Sequence, residues 1–296
     1  MTRRRSYPLP TRHYPRAPLP AAGRPCSEKL SAGIGAALLL LILVAVLVGP
    51  EVAAWPPNAV ATEDSLKPPS AVHPLGTDIL GRDVLSRLLH GGRLSLSAAL
   101  STVSLAVALG TLLGVIGGYR GGAVDTVIVA IADVTLAFPS LLLALVLAWL
   151  LGQGMGNAAI GVAVATMPVY IRLARANVRR LRRQPYVRAA QAIGAKESRI
   201  LLRHILPNAL GPLVAVAVLD VGWAMLHVSA ISFLGVGAQP PQAEWGQMLS
   251  EARAHIRQAP WLGLAPGLAI ALTVLSINLV AEALQNSFDP LRSLHL

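Results

Sequence analysis

Three side chains within one apolar stretch are of types that do chemistry. Asp220 lies near the middle of the run from Leu210 to Ile231, and Met225 and His227 follow it. A charged carboxylate at that depth in hydrocarbon costs about 2.5 to 3.5 kcal/mol on insertion scales, so it is a functional candidate by default and is expected to face a protein interior. His227 stands seven residues beyond Asp220, two helical turns along and on much the same face. Imidazole and thioether are competent metal ligands, which makes His227 a weak candidate metal site with Met225 beside it. The plainer reading is a hydrogen-bonded Asp and a structural His that fix helix packing. Both readings stay open.

Chemistry of other kinds has no foothold. The chain holds no G-x-x-x-x-G-K-[ST] phosphate loop, no G-x-S-x-G elbow and no H-E-x-x-H pair. The single Cys26 excludes an internal disulfide framework and a Cys-rich metal or redox centre. A net charge of +11 suggests nucleic acid, but the Arg residues sit between apolar runs. With aromatic residues at 4%, there are no stacking platforms for bases. No catalytic residue and no cofactor is expected on this chain.

The elements that must position Asp220 and His227 are long apolar helices. Of the 296 residues, 54% are hydrophobic and 13% charged, about half the charge of a typical soluble protein. The apolar residues come in blocks, and ~20 of them in a helix cross the ~30 Å hydrocarbon layer. The reading is an all-α polytopic membrane protein with six spans, near 30–50, 94–118, 123–151, 158–173, 210–231 and 261–284. The third run is longer than a span needs, so its first part, with Asp125 and Asp133, is expected to tilt or to lie in the interface. The fourth is short and is interrupted by Pro168. Residues 1–29 read as a disordered, basic, Pro-rich tail, preferred over a cleaved signal peptide because no Ala-x-Ala-like site follows the first span. Residues 30–290 form the membrane domain, and 291–296 a C-terminal tail.

Positive charge orients the spans. Ten Lys and Arg residues fall between Arg172 and Arg203 and seven in the first 29 residues, against five in the two loops of the opposite side. Cytoplasmic loops carry that excess, so both termini and the Arg-rich loop are expected in the cytoplasm. Within the loop, two short helices are expected over about Tyr186–Ile193 and Lys196–His204. Gly194 lies at the turn between them, where positive φ is easiest for Gly. Ala189 and Ala190 are small enough for another protein's surface to approach, and Pro207 restarts the chain toward the fifth span. A topogenic basic loop with helical ends has the same features.

This loop resembles the EAA loop of permease subunits of ABC importers, in which Glu-Ala-Ala, three residues, Gly, nine residues and Ile-x-Leu-Pro follow in order. Here the same spacing reads Arg188-Ala189-Ala190, Gly194, Ala195 and onward, then His204-Ile205-Leu206-Pro207, with Arg188 in place of the Glu and His204 in place of the first Ile. The segments His73–Leu96 and Ser232–Leu249 extend the resemblance to the second permease of the peptide/nickel group, over essentially residues 30–290. The resemblance implies a bacterial inner-membrane subunit without ATP chemistry of its own. It also implies a second permease subunit, two ATP-binding subunits and an extracytoplasmic substrate-binding protein as partners, with Arg188, Ala189, Ala190, Gly194, Ala195 and Pro207 coupling to the ATPase. Cargo is nickel, a metal chelate, or a di- or oligopeptide. Leu219–Gly237 looks closer to the nickel permeases, while Gln239-Pro240-Pro241 also suits the peptide permeases. An ion-coupled secondary transporter is the alternative, with an intramembrane enzyme behind it. The first needs a relay of interior ionisable groups, and Asp220 is the one deep acid.

Overall fold

The computed structural model describes residues 25–288, and the tail readings for 1–24 and 291–296 lie outside them. Within that range the regular elements are helices, apart from one isolated bridge between Thr77 and Asp83. They are α1 (Pro25–Val52), α2 (Val84–Arg120), α3 (Gly122–Leu136), α4 (Ser140–Leu151), α5 (Met155–Arg182), α6 (Pro185–Ala192), α7 (Glu197–Ile200), α8 (Leu206–Phe233), α9 (Trp245–Ala252) and α10 (Trp261–Phe288). Five helical stretches are long and apolar enough to cross a membrane, and α3 with α4 supplies a sixth if the pair counts as one broken span. The protein is an all-α, multi-pass membrane protein.

Several boundaries differ from the sequence reading, among them the start of α2 at Val84 in place of 94, and four have a plain local reason. Helix α1 begins at Pro25, inside the stretch assigned to the tail; proline suits a first helical turn because its missing N–H has no partner to lose there. The third run bends by 97° between α3 and α4. Pro139 sits at the bend in extended geometry, and the residue before a proline, Phe138, is pushed away from helical angles. Helix α5 continues through Pro168 to Arg182, well past the expected end near 173. It is the most buried of the spans, so protein rather than lipid covers its polar positions. The second loop helix does not stop at His204: a π-helical turn over Leu201–Ile205 carries α7 into α8. There the Leu206 N–H bonds five residues back to the Leu201 carbonyl, a widened turn that absorbs the missing donor of Pro207.

Glycine sets the crossing of α2 on α5. Gly110, Gly114 and Gly118 recur every fourth residue on α2 and face α5. A Cβ on Gly114 would sit 2.4 Å from the Ile171 carbonyl oxygen, and one on Gly118 would sit 2.9 Å from that of Arg175. Small residues at this spacing let two backbones approach in a membrane, where packing rather than water drives association. Around that contact α2 also packs on α8, α1 packs on α2 and α10, and α4 packs on α5.

The end of the bundle that carries α9 is closed by buried polar contacts. Asp83 caps α2 by accepting from the Ser86 N–H at 2.7 Å, and His73 Nδ1 lies 2.9 Å from its other oxygen. Arg82 bonds Asp78 at 2.6 Å and Glu251 of α9 at 3.0 Å, and Arg87 reaches the same Glu251 oxygen at 3.2 Å. Glu244, 0% exposed, caps α9 by accepting from the Gln247 N–H at 2.9 Å and accepts from Ser95 Oγ of α2 at 2.8 Å. Trp245 is buried behind it, its Nε1–H donating to the Leu88 carbonyl at 2.8 Å.

Candidate coupling loop and translocation face

Helix α6 is short, and its geometry is decided by its last turn. The Gly194 N–H donates to the Gln191 carbonyl at 3.0 Å and the Ala195 N–H to the Ala190 carbonyl at 3.0 Å. These are the two bonds of a Schellman motif, which requires a left-handed residue just past the helix. Gly194 supplies it with φ +77°. The turn reverses the chain into α7, so α6 lies at the ends of α5 and α8 instead of continuing either.

One face of α6 is committed to the bundle and one is free. Val187 and Ala190 are buried in the apolar cluster of Tyr170, Val178, Ile200, Ile205 and Leu213, with Ala195 packed at its edge. Arg188, Ala189, Gln191 and Ala192 are exposed, and Ile193 is 85% exposed. Ala190 therefore spaces α6 from its own bundle, and Ala189 alone of the alanine pair faces outward. Pro207 stands in the first turn of α8, next to the π-helical turn.

Helix α8 presents a second site. Its outward stripe carries the exposed Trp223, with Asp220 and His227 half-buried along the same face. Asp220 Oδ2 accepts from Tyr170 Oη at 2.6 Å. His227 Nδ1 lies 2.9 Å from the Trp223 carbonyl; a carbonyl only accepts, so Nδ1 carries the proton. Its Nε2 then accepts from Ser140 Oγ at 3.4 Å. Ser140 begins α4 just past the bend, so the His227 end of the stripe meets the broken third span at that residue.

The sequence-derived candidates separate accordingly. Asp220 and His227 lie on one face as their spacing indicated. Met225 does not join them: it is 1% exposed and packs with Val103, Trp245 and Met248 on the opposite side of α8. Among the described residues no group of three or more His, Cys, Asp and Glu side chains could hold a metal ion. Asp125 and Asp133, read as peripheral, pin α3 to α5: Asp125 is paired to Arg175 and Arg179, and Asp133 accepts from Arg172 at 2.6 Å. Glu244 and Glu251 were not singled out, because their partners Ser95, Arg82 and Arg87 are remote in the chain and no spacing pattern links them.

A bundle of apolar helices with one broken span, a polar stripe on α8 and a short exposed helix at one end is the architecture of a transport subunit. Residues 110–293 match the family of binding-protein-dependent transport system inner membrane components, and the chain belongs to that family. It is an ABC importer permease, as the loop resemblance implied.

The chain is 45% identical to the dipeptide transport system permease protein DppC of Alkalihalophilus pseudofirmus, over 76% of this chain and 74% of that protein. It is 42% identical to the glutathione transport system permease protein GsiD of Pectobacterium atrosepticum, over 75% and 74%. With DppC of Haemophilus influenzae the identity is 37% over 95% of this chain and 97% of that protein.

Proposed function

We propose that the chain is one of two permease subunits of a peptide importer, paired with a second permease. Two separate ATP-binding subunits and an extracytoplasmic binding protein complete the assembly. The observation that carries this reading is α6: a short helix braced from behind by Val187 and Ala190, turned by Gly194, with Ile193 left bare. An apolar side chain exposed at a helix end beside a basic loop fits docking into a partner's groove. Both termini and α6 would then be cytoplasmic, the side favoured by the Lys and Arg excess.

Of the cargoes left open by the sequence, small peptides are favoured over nickel. The relatives named above carry peptide and glutathione names, and His227 has both ring nitrogens engaged by protein groups. Asp220, Trp223 and His227 would line the path, since lipid would penalise a carboxylate on that face. The test is reconstitution of the permease pair with its ATPase and binding protein in vesicles. Labelled dipeptide should accumulate with ATP, and radiolabelled nickel should not. Nickel uptake without dipeptide uptake would reverse the cargo assignment.

A further inference from the structure

The α6 end of the bundle holds a basic cleft beside the docking face, which it shares at Arg188 and Gln191. About 490 Å³ in volume, it is lined by Arg179, Arg182, Arg183 and Arg188, with backbone at Gly118 and Gly121. It opens where α2 and α5 end, at Arg120 and Arg182, which is the level at which the hydrocarbon layer gives way to headgroups. We propose that this cleft binds the phosphate of an anionic phospholipid headgroup.

Arg179, Arg183 and Arg188 are exposed and Arg182 is half-buried, so the cleft is open to a ligand from outside. Four guanidiniums line it: Arg179 and Arg182 from the last turn of α5, Arg183 from the position that ends it, and Arg188 from α6. No carboxylate lines it. Asp125, the acid nearest in the bundle, is already paired with Arg175 and Arg179. The one acid between Arg172 and Arg203 is Glu197, which is exposed and not among the lining residues. The Arg183 and Arg188 guanidiniums have no hydrogen-bond or ion-pair partner among the described residues, while Arg182 donates to the Tyr119 carbonyl and lies 4.7 Å from the centre of the Tyr119 ring. Guanidiniums suit phosphate because their planar donors bind its oxygens two at a time.

Two features favour a headgroup over a free ion. The cleft falls in the size range of drug-sized ligand sites, roomier than a bare phosphate needs. At Gly121 a Cβ would have nothing within 4 Å, so the floor stays open for the glycerol and acyl chains to leave along α2. Basic pockets at the cytoplasmic ends of spans are suited to anionic headgroups. The leaflet assignment rests on the topology proposed above, whereas the binding chemistry does not.

The experiment uses the full chain in mild detergent, read by native mass spectrometry after incubation with phosphatidylglycerol or phosphatidylcholine of matched chains. Three forms are compared: the unaltered protein, Arg183→Gln with Arg188→Gln, and Arg253→Gln with Arg257→Gln as an equal loss of charge elsewhere. Phosphatidylglycerol should be retained over phosphatidylcholine. The cleft pair should lower retention about fivefold per charge, about 25-fold together, and the control pair should leave it unchanged. Equal retention of the two lipids, or equal effects of the two variant pairs, overturns the proposal. Displacement of the lipid by millimolar inorganic phosphate would assign the cleft to a soluble anion. Loss of ATPase capture with unchanged lipid retention would assign it to an acidic protein surface. Either result defeats the lipid assignment while leaving the transport reading standing.

Discussion

Tyr170 Oη donates to Asp220 Oδ2 at 2.6 Å, joining the fourth long helix to the fifth near the middle of both. Tyr170 is wholly buried, and Asp220 is half-buried on the outward stripe of α8. The bond therefore fixes a carboxylate at a depth where its charge has to be met by a donor or by water. Removing the donor as Tyr170→Phe should cost about 1.5 to 3 kcal/mol, the worth of a hydrogen bond to a charged group. Asp220→Asn keeps an acceptor, so it should insert and assemble normally while altering transport. Thermal unfolding in detergent and peptide uptake in vesicles check the pair. Full uptake and normal assembly in Asp220→Leu would remove Asp220 from the pathway.

Gly194 tests the coupling loop. A Cβ there would meet nothing within 4 Å, so a substitution acts through the backbone alone. At φ +77° a β-branched residue is strained by about 1 to 2 kcal/mol, and Asn, which tolerates this region, by less. Gly194→Val should insert with its partner yet bind the ATPase poorly or leave hydrolysis uncoupled from peptide, and Gly194→Asn should retain most coupling. The readout is ATPase co-purification together with peptide-stimulated hydrolysis. Wild-type coupling in Gly194→Val would reduce the loop to a topogenic segment.

Glu251 holds both Arg82 and Arg87, and Arg87 is 1% exposed. Glu251→Gln leaves two guanidiniums with Asp78 as their remaining acid. Breaking a buried pair from one side should destabilise by about 3 kcal/mol. Little of that loss should be recoverable by changing salt, because buried pairs are poorly screened. Thermal unfolding across an ionic-strength series reads both outcomes.

Topology has a direct assay. A reporter active only outside the cytoplasm should be active when fused at Pro57 or Gln242 and silent after Arg183 or Leu296. Activity at Arg183 would invert the bundle and sink the proposed side for α6.

The sequence carried the solvent of this protein more plainly than its contacts. Long apolar blocks such as Leu30–Val48 are visible because lipid leaves no room for polar relief, and Gly194 was legible because a turn at that spacing needs positive φ. The bend at Pro139 was present as a Phe-Pro step, but an apolar run on both sides masked it. The path of α5 past residue 173 was not legible, because its polar residues are answered by Asp125 and Asp133 on another helix. The Arg82–Glu251 pair spans 169 residues, and no periodicity reports a contact of that reach. Met225 was placed by its neighbourhood in the chain, whereas its angle around α8 decides where it points.

The π-helical turn at Leu201–Ile205 makes Glu197–Phe233 one unbroken rod of 37 residues, about 55 Å long at helical rise. The rod starts one short turn from α6 and ends at the loop before α9, with Asp220 a little past its midpoint. A rod of that kind behaves as a lever. With α6 docked as proposed, a sideways push of a few ångströms at Glu197 would travel along the backbone of this rod toward Asp220 and Trp223. Its widened turn is the softest joint along it, so bending is concentrated there, and the position of that joint sets how much of the stroke the far arm receives.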